Sequence, residues 1–201
     1  MFSVAAGAKP PVVLVLGDSL SAAYGLAVDQ GWVNLLQQRI TQSGYPHQVV
    51  NASVSGDTTS NGLTRIGPAL KAHQPDVVIV ELGGNDGLRA QPVPMIKGNL
   101  EKIIEQSRDA GAKTIIAGMR LPPNYGSTYV DGFEAIYPEL AQQYGSVLVP
   151  FFMAGVAAMP ELMQPDGVHP TAGAQLILLD NVWPHLAPLL DAAIAEGAGP
   201  Q

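Results

Sequence analysis

Three polar residues that lie far apart in the sequence have the types that nucleophilic catalysis uses. Ser19 follows an apolar run, within Gly17-Asp18-Ser19-Leu20-Ser21. A serine hydroxyl is a weak nucleophile until a neighbouring base takes its proton, and histidine suits this role because it titrates near neutrality. His169 is the candidate base, and Asp166, three residues earlier, could reach its ring across a turn and hold one tautomer. The spacing therefore predicts a Ser–His–Asp triad.

The other three histidines are placed less well for the role of base. His47 follows Pro46 and His73 lies two residues before Pro75, on turns that lead into predicted strands rather than out of them. His185 lies inside the last predicted helix. His169 instead lies in a loop that contains proline and glycine, which favours an irregular backbone.

Attack on an acyl carbonyl also needs hydrogen-bond donors for the negative charge that develops on its oxygen. Gly56 can offer an unobstructed backbone N–H, because it has no side chain. Asn85, in the segment Gly83-Gly84-Asn85-Asp86-Gly87, can offer a side-chain NH₂. With the backbone N–H of Ser19 as a third donor, these groups predict an oxyanion hole.

The candidate residues follow apolar runs that have the pattern of buried strands. Each run is continuous rather than alternating, which is typical of parallel strands covered on both faces. The predicted strands are 11–16, a short one around 49–50, 76–82, 113–117 and 146–149. The predicted helices are 32–40, 57–71, 94–110, 131–143 and 172–195. Pro138 is expected to interrupt the fourth helix, and Pro184 or Pro188 to kink the last.

This alternation predicts an α/β fold, a three-layer α/β/α domain with a central, mostly five-stranded parallel sheet. In open sheets of this kind, ligands bind outside the carboxyl ends of the strands. Ser19, Gly56 and Asn85 each follow a predicted strand, so we expect them at one edge of the sheet. Residues 1–201 are interpreted as one domain, with flexible ends at 1–10 and 196–201.

The composition excludes several classes of function. Ten basic against 17 acidic residues give a net charge of −7, and no basic run occurs, so nucleic-acid binding is not expected. The absence of cysteine excludes disulfides, thiolate nucleophiles and Cys-ligated metals. No apolar run reaches the ~18 residues that a membrane span needs, so stable membrane insertion is not expected.

In these motifs the chain resembles the SGNH hydrolases, also called GDSL esterases/lipases. Residues 17–21 are similar to the first block of that family, Gly56 to the glycine of its second and Asn85 to the asparagine of its third. Residues 166–170 are similar to its fifth block. The resemblance implies a flavodoxin-like fold in which the triad and the oxyanion donors named above act as such, with no metal and no cofactor.

Residues 80–89 and 121–126 resemble, more narrowly, the bacterial thioesterase I/lysophospholipase/arylesterase branch of the family. That branch implies hydrolysis of small acyl esters and of acyl thioesters, with broad substrate tolerance; the expected route is an acyl-enzyme intermediate. Its members are usually exported. This implies a periplasmic or secreted enzyme if a signal peptide has been removed upstream, and a cytoplasmic enzyme otherwise.

Contacts to the acyl group are expected from residues that follow strand ends. The candidate substrate-binding residues are Asp18, Leu88, Leu121, Pro122 and Tyr125. A second set precedes the Asp–His loop, and its flexible methionines could line an adaptable apolar groove. This set consists of Phe151, Phe152, Met153, Met159 and Met163.

Two other functions stay open at this point. Asp18, Asp57, Asp86 and Asp166 all lie near the same predicted edge, and hard cations favour such oxygen ligands. A Mg²⁺-dependent phosphoesterase, or a non-catalytic small-ligand binding module of flavodoxin-like fold, would therefore also fit. EDTA would abolish the activity of the metal enzyme, and a phosphonate ester would label Ser19 only if its hydroxyl is activated.

Overall fold

Within residues 9–197, the part of the chain that the computed structural model describes, five parallel strands form one sheet. The strands are β1 (Val12–Gly17), β2 (Gln48–Asn51), β3 (Val77–Glu81), β4 (Lys113–Ala117) and β5 (Val147–Val149). Their order in the sheet is β2-β1-β3-β4-β5. The chain therefore reverses its direction of travel after β2, and β1 and β3 are the neighbours at this switch point. Crevices for ligands form at such points, outside the carboxyl ends of the strands.

Helices cover both faces of the sheet. Between residues 9 and 197 they are α1 (Trp32–Gln42), α2 (Thr59–His73), α3 (Gly84–Leu88), α4 (Val93–Asp109), α5 (Ser127–Tyr144) and α6 (Gln175–Gly197). α1 packs beside α6 in one layer, and α2, α4 and α5 pack side by side in the other. The predicted three-layer α/β/α arrangement around a five-stranded parallel sheet is confirmed.

The burial of the strands explains the apolar runs. Every residue of β1 and β3 is buried, because both strands have a neighbour on each side and helices over each face. The edge strands β2 and β5 are only partly buried. The largest fully buried side chains between the layers include Trp32, Phe133, Tyr137 and Phe152.

Three helices differ from the sequence prediction. α5 continues through Pro138, where an interruption was expected, since the burial of Tyr137 and Leu140 beside it offsets the one lost hydrogen bond. The segment predicted as one helix from residue 172 begins with a separate 3₁₀ turn, Ala172–Ala174, and α6 follows it. The sequence pattern does not predict α3, because five residues are too few for a helical period to show.

The two chain ends expected to be flexible lie mostly beyond the described part. Residues 1–8 and 198–201 are outside the described residues, and residues 196 and 197 continue α6. The interpretation of residues 1–201 as one domain stays a prediction. From residue 9 to residue 197, the chain forms no helix with the length and apolar character that crossing a membrane requires.

His47 is a buried histidine just before β2, at the end of the sheet opposite to the carboxyl ends of the strands. It is 2% exposed, and neither ring nitrogen has a hydrogen-bond partner within the described part of the chain. Burial lowers the pKa of His47, and the charge of Asp76 offsets part of that shift. The ring therefore packs as a neutral group, near Tyr45.

We expect His47 to make the fold sensitive to acid. Because the pKa of His47 is lower in the folded chain, the unfolded chain takes up the proton first as the pH falls below about 6.5, and the free energy of unfolding decreases. His47→Phe keeps a ring without nitrogens and should remove this loss. Urea denaturation at about pH 7.5 and about pH 5 measures it. The stability of the wild type relative to His47→Phe should fall between the higher and the lower pH, whereas its stability relative to His185→Gln, in which His47 is intact, should change less; an unchanged difference from His47→Phe would contradict the prediction.

Candidate active site

Ser19 lies in the tight turn that follows β1. A hydrogen bond of 2.9 Å from Ala22 N to Asp18 O closes the turn. Gly17, the last residue of β1, has no room for a side chain, because a Cβ there would lie 2.7 Å from Glu81 Oε2. The turn that carries Ser19 therefore begins where β1 and β3 end side by side, with Gly17 paired to Glu81.

Ser19, His169 and Asp166 are joined through their side chains. Ser19 Oγ lies 2.8 Å from His169 Nε2, and His169 Nδ1 lies 2.7 Å from Asp166 Oδ2. Asp166 Oδ1 also accepts hydrogen bonds from the backbone N–H of His169 at 3.0 Å and of Val168 at 2.9 Å.

These hydrogen bonds set the charge and the tautomer of the pair. The bond from the His169 backbone, followed by those from its ring and from Val168, lowers the pKa of Asp166 to about 2. Asp166 is therefore ionised at neutral pH and favours a proton on His169 Nδ1. The lone pair on Nε2 can then accept the proton of the Ser19 hydroxyl.

Asn85, in the first turn of α3, points its amide toward the Ser19 turn. Its Nδ2 donates to Asp18 Oδ2 at 3.1 Å and to Asp57 O at 3.0 Å. Both hydrogens of the amide are thus used within the protein, and Asn85 can bind a further acceptor only by sharing or releasing one of these bonds.

Ser19, Asn85 and His169 line one cavity, whereas Gly56 is not among its lining residues. Gly56 immediately precedes Asp57, whose carbonyl holds the Asn85 amide. The backbone of Gly56 has φ of +84°, a conformation that glycine adopts without strain. No atom lies within 4 Å of where its Cβ would be, so its conformation rather than crowding favours glycine there.

Asp18 is a carboxyl buried between the Ser19 turn and Asn85. It is 2% exposed, and its Oδ1 accepts the backbone N–H of Leu20 at 3.0 Å. Burial raises the pKa of Asp18 to about 6, although the bonds from Leu20 and Asn85 oppose this rise. Asp18 was expected to contact substrate. It reaches the cavity wall, but its hydrogen bonds are to the protein.

Glu81, which the sequence analysis does not single out, is a fully buried carboxyl beneath the Ser19 turn. Its Oε2 accepts the Ser21 hydroxyl at 2.6 Å and the Asp18 N–H at 3.4 Å, and Ser21 Oγ accepts Trp32 Nε1–H at 3.1 Å. Burial, reinforced by the charge of Asp18, raises the pKa of Glu81 well above its ordinary value. Burial therefore favours the neutral form of this carboxyl. The signal in the sequence is one charged residue at the end of an otherwise apolar strand.

An apolar cavity of about 470 Å³ opens beside Ser19 and His169. The expected substrate contacts that line it are Asp18, Leu88, Leu121, Pro122, Phe151, Met153 and Met163. Further lining residues, which the sequence analysis does not propose as substrate contacts, are Leu20, Met119, Arg120, Ala157, Ala158 and Val168. Most of them lie in loops after strand ends, so the position of the cavity follows from the topology.

Three of the expected contacts lie outside the lining. The Tyr125 hydroxyl donates to the backbone oxygen of Leu88 at 2.9 Å, so Tyr125 holds a residue that lines the cavity. Phe152 is fully buried and packs edge-on against Trp32, with ring centroids 5.4 Å apart. Met159 is exposed to solvent and is not part of the lining.

The four aspartates that suggested magnesium each have separate partners. Asp57 pairs with Arg65, Asp86 accepts the backbone and side chain of Thr59 at 2.8 and 2.7 Å, and Asp18 and Asp166 are bonded as described above. Among residues 9–192, whose side chains the structure describes, no three His, Asp or Glu side chains come together in a group that could hold a metal ion. This arrangement does not favour the phosphoesterase alternative.

The chain is similar to known proteins in sequence and in fold. A family model described as the GDSL-like lipase/acylhydrolase family matches residues 15–176. The chain is 48% identical over 183 residues to the esterase TesA of Pseudomonas aeruginosa, covering 91% of each chain. It is 42% identical over 184 residues to thioesterase 1/protease 1/lysophospholipase L1 of Escherichia coli K12, covering 92% of this chain and 87% of that one. The crystal structure of a TesA superimposes with a TM-score of 0.87 at 48% identity, over 89% of this chain and 99% of that chain.

We expect Asp18 to lower the stability of the fold where it is ionised. The pKa of Asp18 is raised to about 6 in the folded chain, against about 3.9 in an unfolded one, so the free energy of unfolding falls as the pH rises through this interval. The loss is of order 2–3 kcal/mol. Asp18→Asn cannot titrate, and its stability relative to the wild type should rise between about pH 4 and about pH 7.5 in urea denaturation. A difference that does not change with pH would contradict the prediction.

Proposed function

Because this chain belongs to the GDSL-like lipase/acylhydrolase family and is a serine hydrolase of carboxylic esters, we propose that Ser19 is its nucleophile, His169 its general base and Asp166 the partner of that base. One observation carries the assignment. The hydroxyl of Ser19 lies 2.8 Å from His169 Nε2, and the other ring nitrogen lies 2.7 Å from the ionised Asp166. The same contact faces the apolar cavity.

In the first step, Ser19 Oγ attacks the acyl carbonyl carbon while its proton passes to His169 Nε2. The imidazolium that forms is stabilised by Asp166 across the 2.7 Å bond. The tetrahedral intermediate collapses when His169 gives this proton to the leaving alcohol or thiol. The acyl group then remains on Ser19 as an ester.

In the second step, water takes the place of the leaving group. His169 removes a proton from the water as it attacks the acyl-Ser19 carbonyl, and returns it to Ser19 Oγ as the carboxylic acid departs. The protein's own groups supply each proton transfer in this scheme, so it includes no metal and no cofactor.

The oxyanion of both intermediates is held by the backbone N–H of Ser19, the backbone N–H of Gly56 and the side-chain amide of Asn85. Asn85 has to release or share a bond for this, because its amide already donates to Asp18 and to the Asp57 carbonyl. The developing negative charge is a stronger acceptor than a carbonyl, so the exchange favours the transition state over the ground state.

The substrate is a small acyl ester or thioester whose acyl chain occupies the apolar cavity. Leu88, Leu121 and Pro122 form part of its wall, and Met153 and Met163 can adapt to chains of different shape. Such a wall supports broad tolerance for the acyl group. The chemistry is the same for esters and thioesters, since both present a carbonyl carbon to Ser19.

The proposed cellular location of the enzyme rests only on its resemblance to exported enzymes. We place the activity in the periplasm or outside the cell where a signal peptide precedes this chain, and in the cytoplasm otherwise. Fractionation of cells that express the complete gene, followed by p-nitrophenyl ester assays on each fraction, tests the placement. Activity confined to the cytoplasm, despite such a signal, would contradict it.

We expect Ser19→Ala and His169→Ala to lower kcat for p-nitrophenyl esters by several orders of magnitude while the fold is kept, because each removes one half of the proton transfer. A phosphonate ester should label the wild type at Ser19 and leave Ser19→Ala unlabelled. Ser60→Ala, at an exposed position on α2, is the matched control and should keep full activity. EDTA should leave the wild-type rate unchanged. Full turnover by a folded Ser19→Ala variant would contradict the proposal.

We expect Asn85→Ala to lower kcat by roughly 10²–10³, as the loss of one oxyanion donor typically does. KM should change little, because the donor acts mainly on the charge of the transition state. Steady-state kinetics with one ester, normalised to phosphonate-titrated sites, measures the effect. A loss confined to KM would remove Asn85 from the oxyanion hole.

A further inference from the structure

Tyr24 stacks on the imidazole of His169, although neither the triad nor the cavity includes it. The two ring centroids are 4.3 Å apart and the planes are inclined by 35°. Tyr24 is 51% exposed and does not line the cavity, so its ring covers a side of His169 that substrate in the cavity does not touch. Such a contact can restrict the imidazole without competing for substrate.

The backbone around Tyr24 is held in a conformation that has a cost. Ala23 has φ of +59°, a left-handed value that is unfavourable for a residue with a side chain. The backbone N–H of Tyr24 donates to Ser19 O at 3.2 Å. The segment that presents Tyr24 is therefore fastened directly to the turn that carries Ser19.

Gln164 connects this segment to the His169 loop. Its Nε2 donates to Tyr24 O and to Pro170 O, both at 2.9 Å, so one amide hydrogen crosses to the Tyr24 segment and the other holds the amide within the His169 loop. Its backbone N–H donates to His169 O at 2.7 Å. Gly25, with φ of +74°, makes room for this bridge, because a Cβ there would collide with Gln164 Oε1.

We propose that Tyr24 and Gln164 are positioning residues for the base His169, which together fix the imidazole against the Ser19 hydroxyl. The inference rests on the proposed function, in which His169 is the base. Gln164 sets the distance between the Ser19 turn and the His169 loop, and the Tyr24 ring limits rotation of the imidazole. The ring also faces the positive charge that His169 carries in the transition state, and aromatic faces attract cations. Both effects act on the chemical step rather than on binding.

Kinetics of Tyr24→Leu, Tyr24→Phe and Gln164→Ala test the proposal. We expect Tyr24→Leu to lower kcat for p-nitrophenyl butyrate about tenfold with KM within about twofold of the wild type. Tyr24→Phe keeps the ring and should stay within about twofold of the wild-type kcat. Gln164→Ala should lower kcat as Tyr24→Leu does, and Gln143→Ala, a remote exposed glutamine on α5, should not.

The double variant Tyr24→Leu/Gln164→Ala separates a joint role from two independent ones. When two residues act as one unit, the effects of their substitutions on kcat are not additive. The kcat of the double variant should therefore be only slightly lower than that of the less active single variant. Each kcat is normalised to sites titrated with a phosphonate ester, which excludes misfolded protein. Gln164→Ala also keeps the test decisive if Tyr24→Leu does not fold.

Besides an unchanged kcat in Tyr24→Leu, three results would overturn the inference. They are a rise in KM without a loss of kcat, an equal loss in Tyr24→Phe and Tyr24→Leu, or losses that multiply in the double variant. The failure of the proposed function is distinct, because it appears as activity in His169→Ala. If His169→Ala is inactive and Tyr24→Leu keeps the wild-type kcat, only the inference about Tyr24 and Gln164 is wrong.

Discussion

The hydrogen bond between Ser19 Oγ and His169 Nε2 joins two segments that are 150 residues apart in the chain. The 2.8 Å distance depends on the elements that position the two segments. Ser19 is placed by β1, a strand buried on both faces. His169 belongs to a loop that precedes α6, and the first residue of α6, Gln175, accepts the backbone N–H of Trp32 at the start of α1 at 3.0 Å. The layer formed by α1 and α6 thus fixes the loop relative to the sheet.

The buried carboxyls of Asp18 and Glu81, next to the Ser19 turn, lower the stability of the fold when they are ionised. Burial raises the pKa of Asp18 to about 6, and that of Glu81 well above its ordinary value. Two carboxyls so close together in a dry environment are unfavourable when both are charged. Burial favours the neutral form of Glu81, and this lessens its repulsion of an ionised Asp18, which accepts a hydrogen bond from Asn85. Natural proteins concentrate such costs at their functional sites.

The sheet could be predicted from the sequence because β1 is apolar throughout and β3 and β4 are apolar over most of their length, a pattern typical of strands covered on both faces. The long helices were predicted because their apolar residues recur with the helical period. α3 was not, since five residues carry no period, and Pro138 misled because packing around it outweighs one lost hydrogen bond. Met153 and Met163 line the cavity, whereas Phe152 and Met159, which were expected there, do not. The sequence could not distinguish the two pairs, because it does not show which side of the loop faces the cavity.

By itself, the sequence determined the fold class, the edge of the sheet where chemistry would lie, and Ser19, His169 and Asp166 as candidates, because strand pattern and short motifs are local properties. Only the tertiary structure decided the rest. The buried state of Glu81, the double use of the Asn85 amide and the stacking of Tyr24 on His169 all depend on contacts between segments distant in the chain. Distance, burial and charge are properties of neighbours in space, and the folding of the sheet and its helices chooses those neighbours.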